Sequence, residues 1–381
     1  MAFSAEWTIA KKGALVNERA GDGREGVRAP RAVNRAIARA ARSRLIWAGV
    51  GAATIVLGAG ALAVGTRTGR SLVAPLVVQA LLSPIPPGVP RRATAVGSAV
   101  HSGVPAETAL SFLSPEWDAS ESRRVEVRSA DGRFRLAGWE RAAPEPTNRW
   151  AVLVHGWRGF HGEVDMLAAI WGVLGWNVLA VDLRAHGSSE GDWAGMGGPD
   201  AADLAVWAGD IVRRYGEDAR IVLHGHSMGG ATVLGASAEG ALPRQVEAVV
   251  ADCSFTSAGA MFDDLARSVV PLRSARTLLF EEAREWLLEQ GGYDLSLSAP
   301  IERVRASRVP VLFFHGTADN FVPPWMTGAL FDACAAPLKW LHFVPGAGHC
   351  ESARRDPARY FGTVLAFLDA VASGASGLRI V

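Results

Sequence analysis

Short apolar runs recur along the later two thirds of the chain, near 124–129, 133–139, 151–155, 178–182, 221–225, 247–252, 310–315 and 338–343. Each is the length of a strand, and together they predict eight. Helical patterns separate most of them. The clearest spans Asp200 to Tyr215, where Leu204, Trp207, Ala208, Ile211 and Val212 return at helical spacing and form one apolar face. Strands alternating with helices imply crossover connections and a mostly parallel sheet with helices on both faces, an α/β class. The first two strands flank Asp131-Gly132 closely enough to predict a hairpin. Thr256 to Val309 is too long for a simple connection and predicts a small helical cap over about 256–308. Its two helical segments, Ala258 to Val270 and Thr277 to Gln290, are broken by Pro271 and carry Met261, Phe262, Leu265, Leu278, Leu279, Trp286 and Leu287. These side chains either pack the insert onto the core or line a pocket.

The beginning of the chain follows a different pattern. Leu45 to Thr66 runs for about twenty residues without a charge and shows no polar face, long enough as a helix to cross a bilayer's hydrocarbon core. Residues 1 to 44 hold ten Lys and Arg against four Asp and Glu, a split that the chain's net charge of +1 conceals. Arg28, Arg31, Arg35, Arg39 and Arg42 would share one helical face suited to anionic headgroups. Only Arg67 and Arg70 follow closely, so the charge bias predicts a cytoplasmic amino terminus and an extracytoplasmic α/β domain on a single-pass anchor. A cleavable signal peptide is the rival reading of the span, and nucleic-acid binding the lesser reading of the basic arm. Leu72 to Pro86 is a second apolar stretch, interrupted by Pro75, expected on the membrane surface or against the α/β domain; as a second span it would reverse the orientation. The expected organisation is therefore a basic arm over 1–44, a transmembrane helix over 45–66, a linker and interfacial segment over 67–119, and an α/β domain over 120–375.

Chemistry enters with Gly225-His226-Ser227-Met228-Gly229, set directly after the apolar run Ile221-Val222-Leu223. A serine squeezed between strand and helix takes a costly backbone conformation, tolerable when the residues two places either side lack a β-carbon, as Gly225 and Gly229 do. Such a turn lifts the Ser227 hydroxyl clear of the sheet and aims the Met228 amide at a developing oxyanion. A hydroxyl needs a base, and the base needs an orienting group. Asp319 lies in the loop after the strand ending at His315-Gly316, and His349 follows the strand ending at Val344. The order is Ser227, Asp319, His349. Asp252, after an earlier strand, is the rival acid. Among the histidines, His224 and His226 are expected to point away from the hydroxyl, and His155 and His315 to pack loops.

Five stretches in this order resemble the α/β-hydrolase superfamily, in particular bacterial serine hydrolases with an amino-terminal membrane segment: His155-Gly156-Trp157, Asp182 to Ser189, the Ser227 elbow, His315 to Asp319, and Gly348-His349. The likeness covers roughly 120 to 372. It implies an α/β-hydrolase fold, a Ser227-Asp319-His349 triad, and a second oxyanion N–H from Trp157 beside that of Met228. In the Asp182 to Ser189 segment, Asp182 and Arg184 are expected to bond nearby loops and His186-Gly187 to form a tight turn. The resemblance implies ester-like cleavage through an acyl-enzyme. Amide, peptide or thioester cleavage, acyl transfer, and a non-catalytic binding module on the same scaffold stay open. The expected partner is a small or lipid-like acyl substrate. No cofactor or metal is expected, since no phosphate-cradling loop, dinucleotide fingerprint or metal-ligand spacing occurs in a suitable setting. Cys253, Cys334 and Cys350 do not make a disulfide framework.

Overall fold

The computed structural model describes residues 122–381 except 239 and 269, together with 75, 77, 78 and 83. The strands are β1 (Arg123–Arg128), β2 (Arg135–Arg141), β3 (Arg149–Val154), β4 (Asn177–Val181), β5 (Arg220–His226), β6 (Val246–Asp252), β7 (Val311–Gly316), β8 (Leu338–Val344) and β9 (Gly377–Ile380). They form one nine-stranded sheet in the order β1-β2-β4-β3-β5-β6-β7-β8-β9. β2 pairs antiparallel with β1 and with β4, and every later pairing is parallel. The expectation of eight strands was one too few. β9 is four residues long and exposed along its whole length, so no buried face imprints an alternation on its sequence.

The helices are α1 (Asp165–Val173), α2 (Pro199–Tyr215), α3 (Met228–Ala236), α4 (Ala258–Ala266), α5 (Arg273–Gly291), α6 (Pro300–Val304), α7 (Trp325–Ala333), α8 (Ser352–Arg355) and α9 (Pro357–Ala372). Strand alternation sorts the core into two layers. From β3, Trp150, Val152 and Val154 join the layer that α2, α3, α6 and α7 cover, while Ala151 and Leu153 join the one under α1 and α9. β7 divides likewise, Val311 and Phe313 to the first layer and Leu312 and Phe314 to the second. The central strands are mainly apolar because both faces are covered.

A third cluster lies in the insertion between β6 and β7. Phe262 and Ala266 of α4 and Leu279, Ala283 and Leu287 of α5 pack around Val77 and Val78. Both valines come from the apolar 72–86 stretch, and both are buried. Val77 and Val78 thus pack against the insertion. Residues 45–66 lie outside the described residues; among the described residues no helix is long and apolar enough to cross a membrane.

Candidate active site

β5 ends where Ser227 turns into α3, and the serine adopts φ 55° and ψ −120°. For a residue with a side chain this is a strained region. The surroundings hold it there: the Ser227 amide donates to the Asp252 carbonyl at 2.9 Å, and its carbonyl accepts from Ala231 at 2.9 Å. A β-carbon on Gly225 would collide with the Gly229 carbonyl, and one on Gly229 with the carbonyl of Val154 at the end of β3. That second close approach seats the helix start beside the His155-Gly156-Trp157 turn, where a β-carbon on Gly156 would lie 3.5 Å from Ser227 Cβ. Met228 opens α3, so its N–H has no acceptor within the helix. Trp157, Met228 and Ser227 line one cavity.

The three residues picked out for nucleophile, base and acid meet. His349 Nε2 lies 2.9 Å from Ser227 Oγ, and His349 Nδ1 lies 2.7 Å from Asp319 Oδ2. The other oxygen, Asp319 Oδ1, accepts from the Phe321 and Val322 amides at 2.9 Å each. Burial opposes a charge on Asp319, but hydrogen bonds from His315, His349 and the Phe321 amide hold its carboxyl far below the usual range. Burial also opposes a charge on His349, while a Cys253 thiolate and Asp319 favour one, and the balance is upward. Because burial keeps Cys253 as a thiol well beyond its ordinary pKa, the upward pull near neutral pH comes from Asp319. The arrangement can move a proton from Ser227 Oγ to Nε2 while Asp319 fixes the tautomer.

The other candidates fall elsewhere. Asp252 accepts from Ser352 Oγ at 2.7 Å. His224 is buried between Trp171 Nε1, 3.1 Å away, and Tyr360 Oη, 2.9 Å away, and burial pulls its pKa down to about 3. His155 Nε2 accepts from the Leu183 amide, and His186 Nε2 from the Arg158 amide. Both therefore brace loops. Asp182 accepts from the His161 and Ser188 amides, and Arg184 bonds Asp203 and Asp131. His315 does more than pack: its Nε2 lies 2.9 Å from the Val322 carbonyl and 3.2 Å from Asp319 Oδ2, so it braces the acid loop.

Other residues at the site carry no motif. Glu163 reaches back from a short 3-10 turn, accepts the Gly156 amide at 3.0 Å and lies 3.4 Å from His226 Nε2. Burial works against its charge, yet His226 and the Gly156 amide hold its pKa down to about 2. It ties the Trp157 turn to the elbow. The cavity beside Ser227 has a volume of about 60 Å³ and an almost wholly apolar wall. Val77, Val78, Met261, Phe262, Leu265 and Phe280 belong to that wall. Of the insert's apolar residues, then, Met261, Phe262 and Leu265 face the cavity, while Leu279 and Leu287 pack within the insert.

Comparison with known proteins matches this geometry to a family. The uncharacterized protein YqkD of Bacillus subtilis is 31% identical over 204 residues, which span 51% of this chain and 63% of that protein. The chain thus covers less than two thirds of that relative's length. The uncharacterized protein Rv2307c of Mycobacterium tuberculosis is 30% identical over 254 residues, 65% of this chain and 77% of that protein. Among solved structures, the Pyrococcus furiosus esterase Pf2001 superposes with a TM-score of 0.53 over 67% of this chain and 96% of its own, at 20% identity, a likeness of fold alone. A model described as the alpha/beta hydrolase family matches residues 151–362, more than half the chain. Since that match takes in the serine elbow, the acid loop and the histidine loop in one stretch, the chain belongs to the alpha/beta hydrolase family.

Proposed function

We propose that this hydrolase cleaves carboxylic esters of small or lipid-like acyl substrates through an acyl-enzyme on Ser227. The observation that carries the reading is the hydrogen-bonded line from Ser227 Oγ through His349 to Asp319, opening onto an apolar cavity. In this mechanism His349 Nε2 takes the Ser227 proton as Oγ attacks the ester carbonyl. The Met228 and Trp157 amides receive the developing oxyanion. His349 then returns the proton to the leaving alcohol, and the same nitrogen activates the water that releases the acid. Asp319 stabilises the imidazolium without taking its proton. An apolar wall favours an acyl chain over a charged peptide, which supports ester over peptide cleavage. We place the reaction at a membrane, with Leu45 to Thr66 as the tether and the catalytic domain extracytoplasmic.

A fluorophosphonate probe combined with a panel of p-nitrophenyl esters tests the chemistry. Covalent labelling of Ser227, lost in Ser227→Ala along with about six orders of magnitude in turnover, is the expected result. Labelling without ester turnover would favour amide, thioester or acyl-transfer chemistry. No adduct on Ser227 would leave a binding module. Membrane fractionation of the full chain against a version lacking 45–66 tests the tether.

A further inference from the structure

Beside the histidine lies a pair of thiols for which the mechanism has no use. Cys253, just past β6, has φ 44°, and Cys350, next to His349, has φ 57°. Both are left-handed, a costly conformation for a residue with a β-carbon. It nonetheless brings together two thiols that lie 97 residues apart in the chain, with the sulfurs 3.6 Å apart. Cys253 is fully buried and Cys350 partly so. A nitrogen of His349 and both sulfurs lie within 4.8 Å of one another.

That spacing has chemical meaning. Two thiolates on one tetrahedral zinc, each at roughly 2.3 Å, stand about 3.8 Å apart. The observed separation is close to that edge. A disulfide instead needs the sulfurs at about 2.05 Å, so the pair would have to close by roughly 1.5 Å against two constrained backbones. Three carboxylates, Glu163, Asp252 and Asp319, are near enough to act electrostatically on Cys350. Their field favours a cation. Two sulfurs and one imidazole make the donor set of a thiophilic metal site with a fourth position left for water.

Resting on the proposed triad, we propose that Cys253, His349 and Cys350 bind a divalent thiophilic cation of the Zn2+ kind, which reversibly silences the enzyme by occupying its general base. Both ring nitrogens already serve the triad, one toward Ser227 and one toward Asp319. A metal on either removes a bond that the reaction needs. Binding replaces the two thiol protons, which pass to solvent, and no electron moves, so chelation reverses it.

The test uses the full chain kept reduced with a phosphine, ester hydrolysis, and titration with Zn2+. Inhibition should be complete and reversed by EDTA. Cys350→Ser should keep its basal turnover and raise the Zn2+ concentration for half-inhibition by about tenfold or more, since even outer-shell losses cost that much. Cys253→Ala supplies a second variant should the first fold poorly. Independently of activity, Co2+ should give a thiolate-to-metal charge-transfer absorption in the wild type that Cys350→Ser diminishes. Equal Zn2+ sensitivity in wild type and both variants overturns the site, as does a Co2+ spectrum without thiolate character. Repeated in air without the phosphine, inactivation that dithiol reverses and EDTA does not would replace the metal with a disulfide, dioxygen taking the two electrons. Should ester turnover be absent altogether, the cobalt spectrum still decides the site, so failure of the triad reading and failure of the metal site remain separate results.

Discussion

Replacing Glu163 with glutamine tests how the turn carrying Trp157 is held. The carboxylate accepts the Gly156 amide and faces His226, and its pKa falls from 4.5 to about 2. At roughly 1.4 kcal/mol per pKa unit the shift sets a ceiling of roughly 3 kcal/mol. The Gly156 amide supplies only part of that shift, and the side chain is 18% exposed. A loss of about 1–2 kcal/mol near neutral pH is therefore the expected effect, the scale of one charged hydrogen bond. Because the folded pKa is depressed, the contribution is complete above about pH 4.5 and disappears as pH falls toward about 2. Urea midpoints of wild type and Glu163→Gln should thus differ at about pH 6, by less than half as much at about pH 3, and draw together near pH 2. Glutamine still offers an oxygen to the Gly156 amide, so the oxyanion turn loosens rather than collapses. Turnover should fall by about tenfold, less than the loss of a whole oxyanion donor, with KM nearly unchanged. Equal urea midpoints at every pH together with unaltered turnover would refute the reasoning.

Asp319→Asn should lower kcat by about 10⁴-fold with KM little changed, because an amide facing His349 Nδ1 selects the wrong tautomer. The acid limb of kcat/KM in the wild type should lie above the free-imidazole value near 6.5, since Asp319 raises the His349 pKa; an unshifted limb argues against the pairing. Val78→Trp places an indole in the apolar wall and should depress hydrolysis of decanoyl esters at least about tenfold while sparing acetyl esters, at about 1–3 kcal/mol of stability; chain-length profiles and a thermal melt read both. Arg184→Met strands Asp203 and Asp200, both buried, and should cost about 3–5 kcal/mol of unfolding free energy, measurable by denaturant titration.

How far the sequence carried depended on the range of the interaction. The elbow was legible because its constraint is local: two glycines flank one strained serine. Asp319 and His349 were legible because parallel strands deliver their following loops to one edge of the sheet, so position along the chain fixes position in space. Glu163 left no trace, since its acceptor, the Gly156 amide, looks like any other backbone group. The Cys253–Cys350 meeting joins residues 97 apart through two left-handed turns that neither residue type announces. β9 was invisible because exposure removes any alternation.

The two valines ahead of the catalytic domain bear on how the protein can be studied. Val77 and Val78 are buried among α4 and α5 and form part of the cavity wall. A fragment trimmed to begin near residue 120, the natural cut for a soluble preparation, would bare Phe262 and Leu279 to water. It would present a wider, wetter mouth, and its substrate preferences would describe the fragment and not the enzyme.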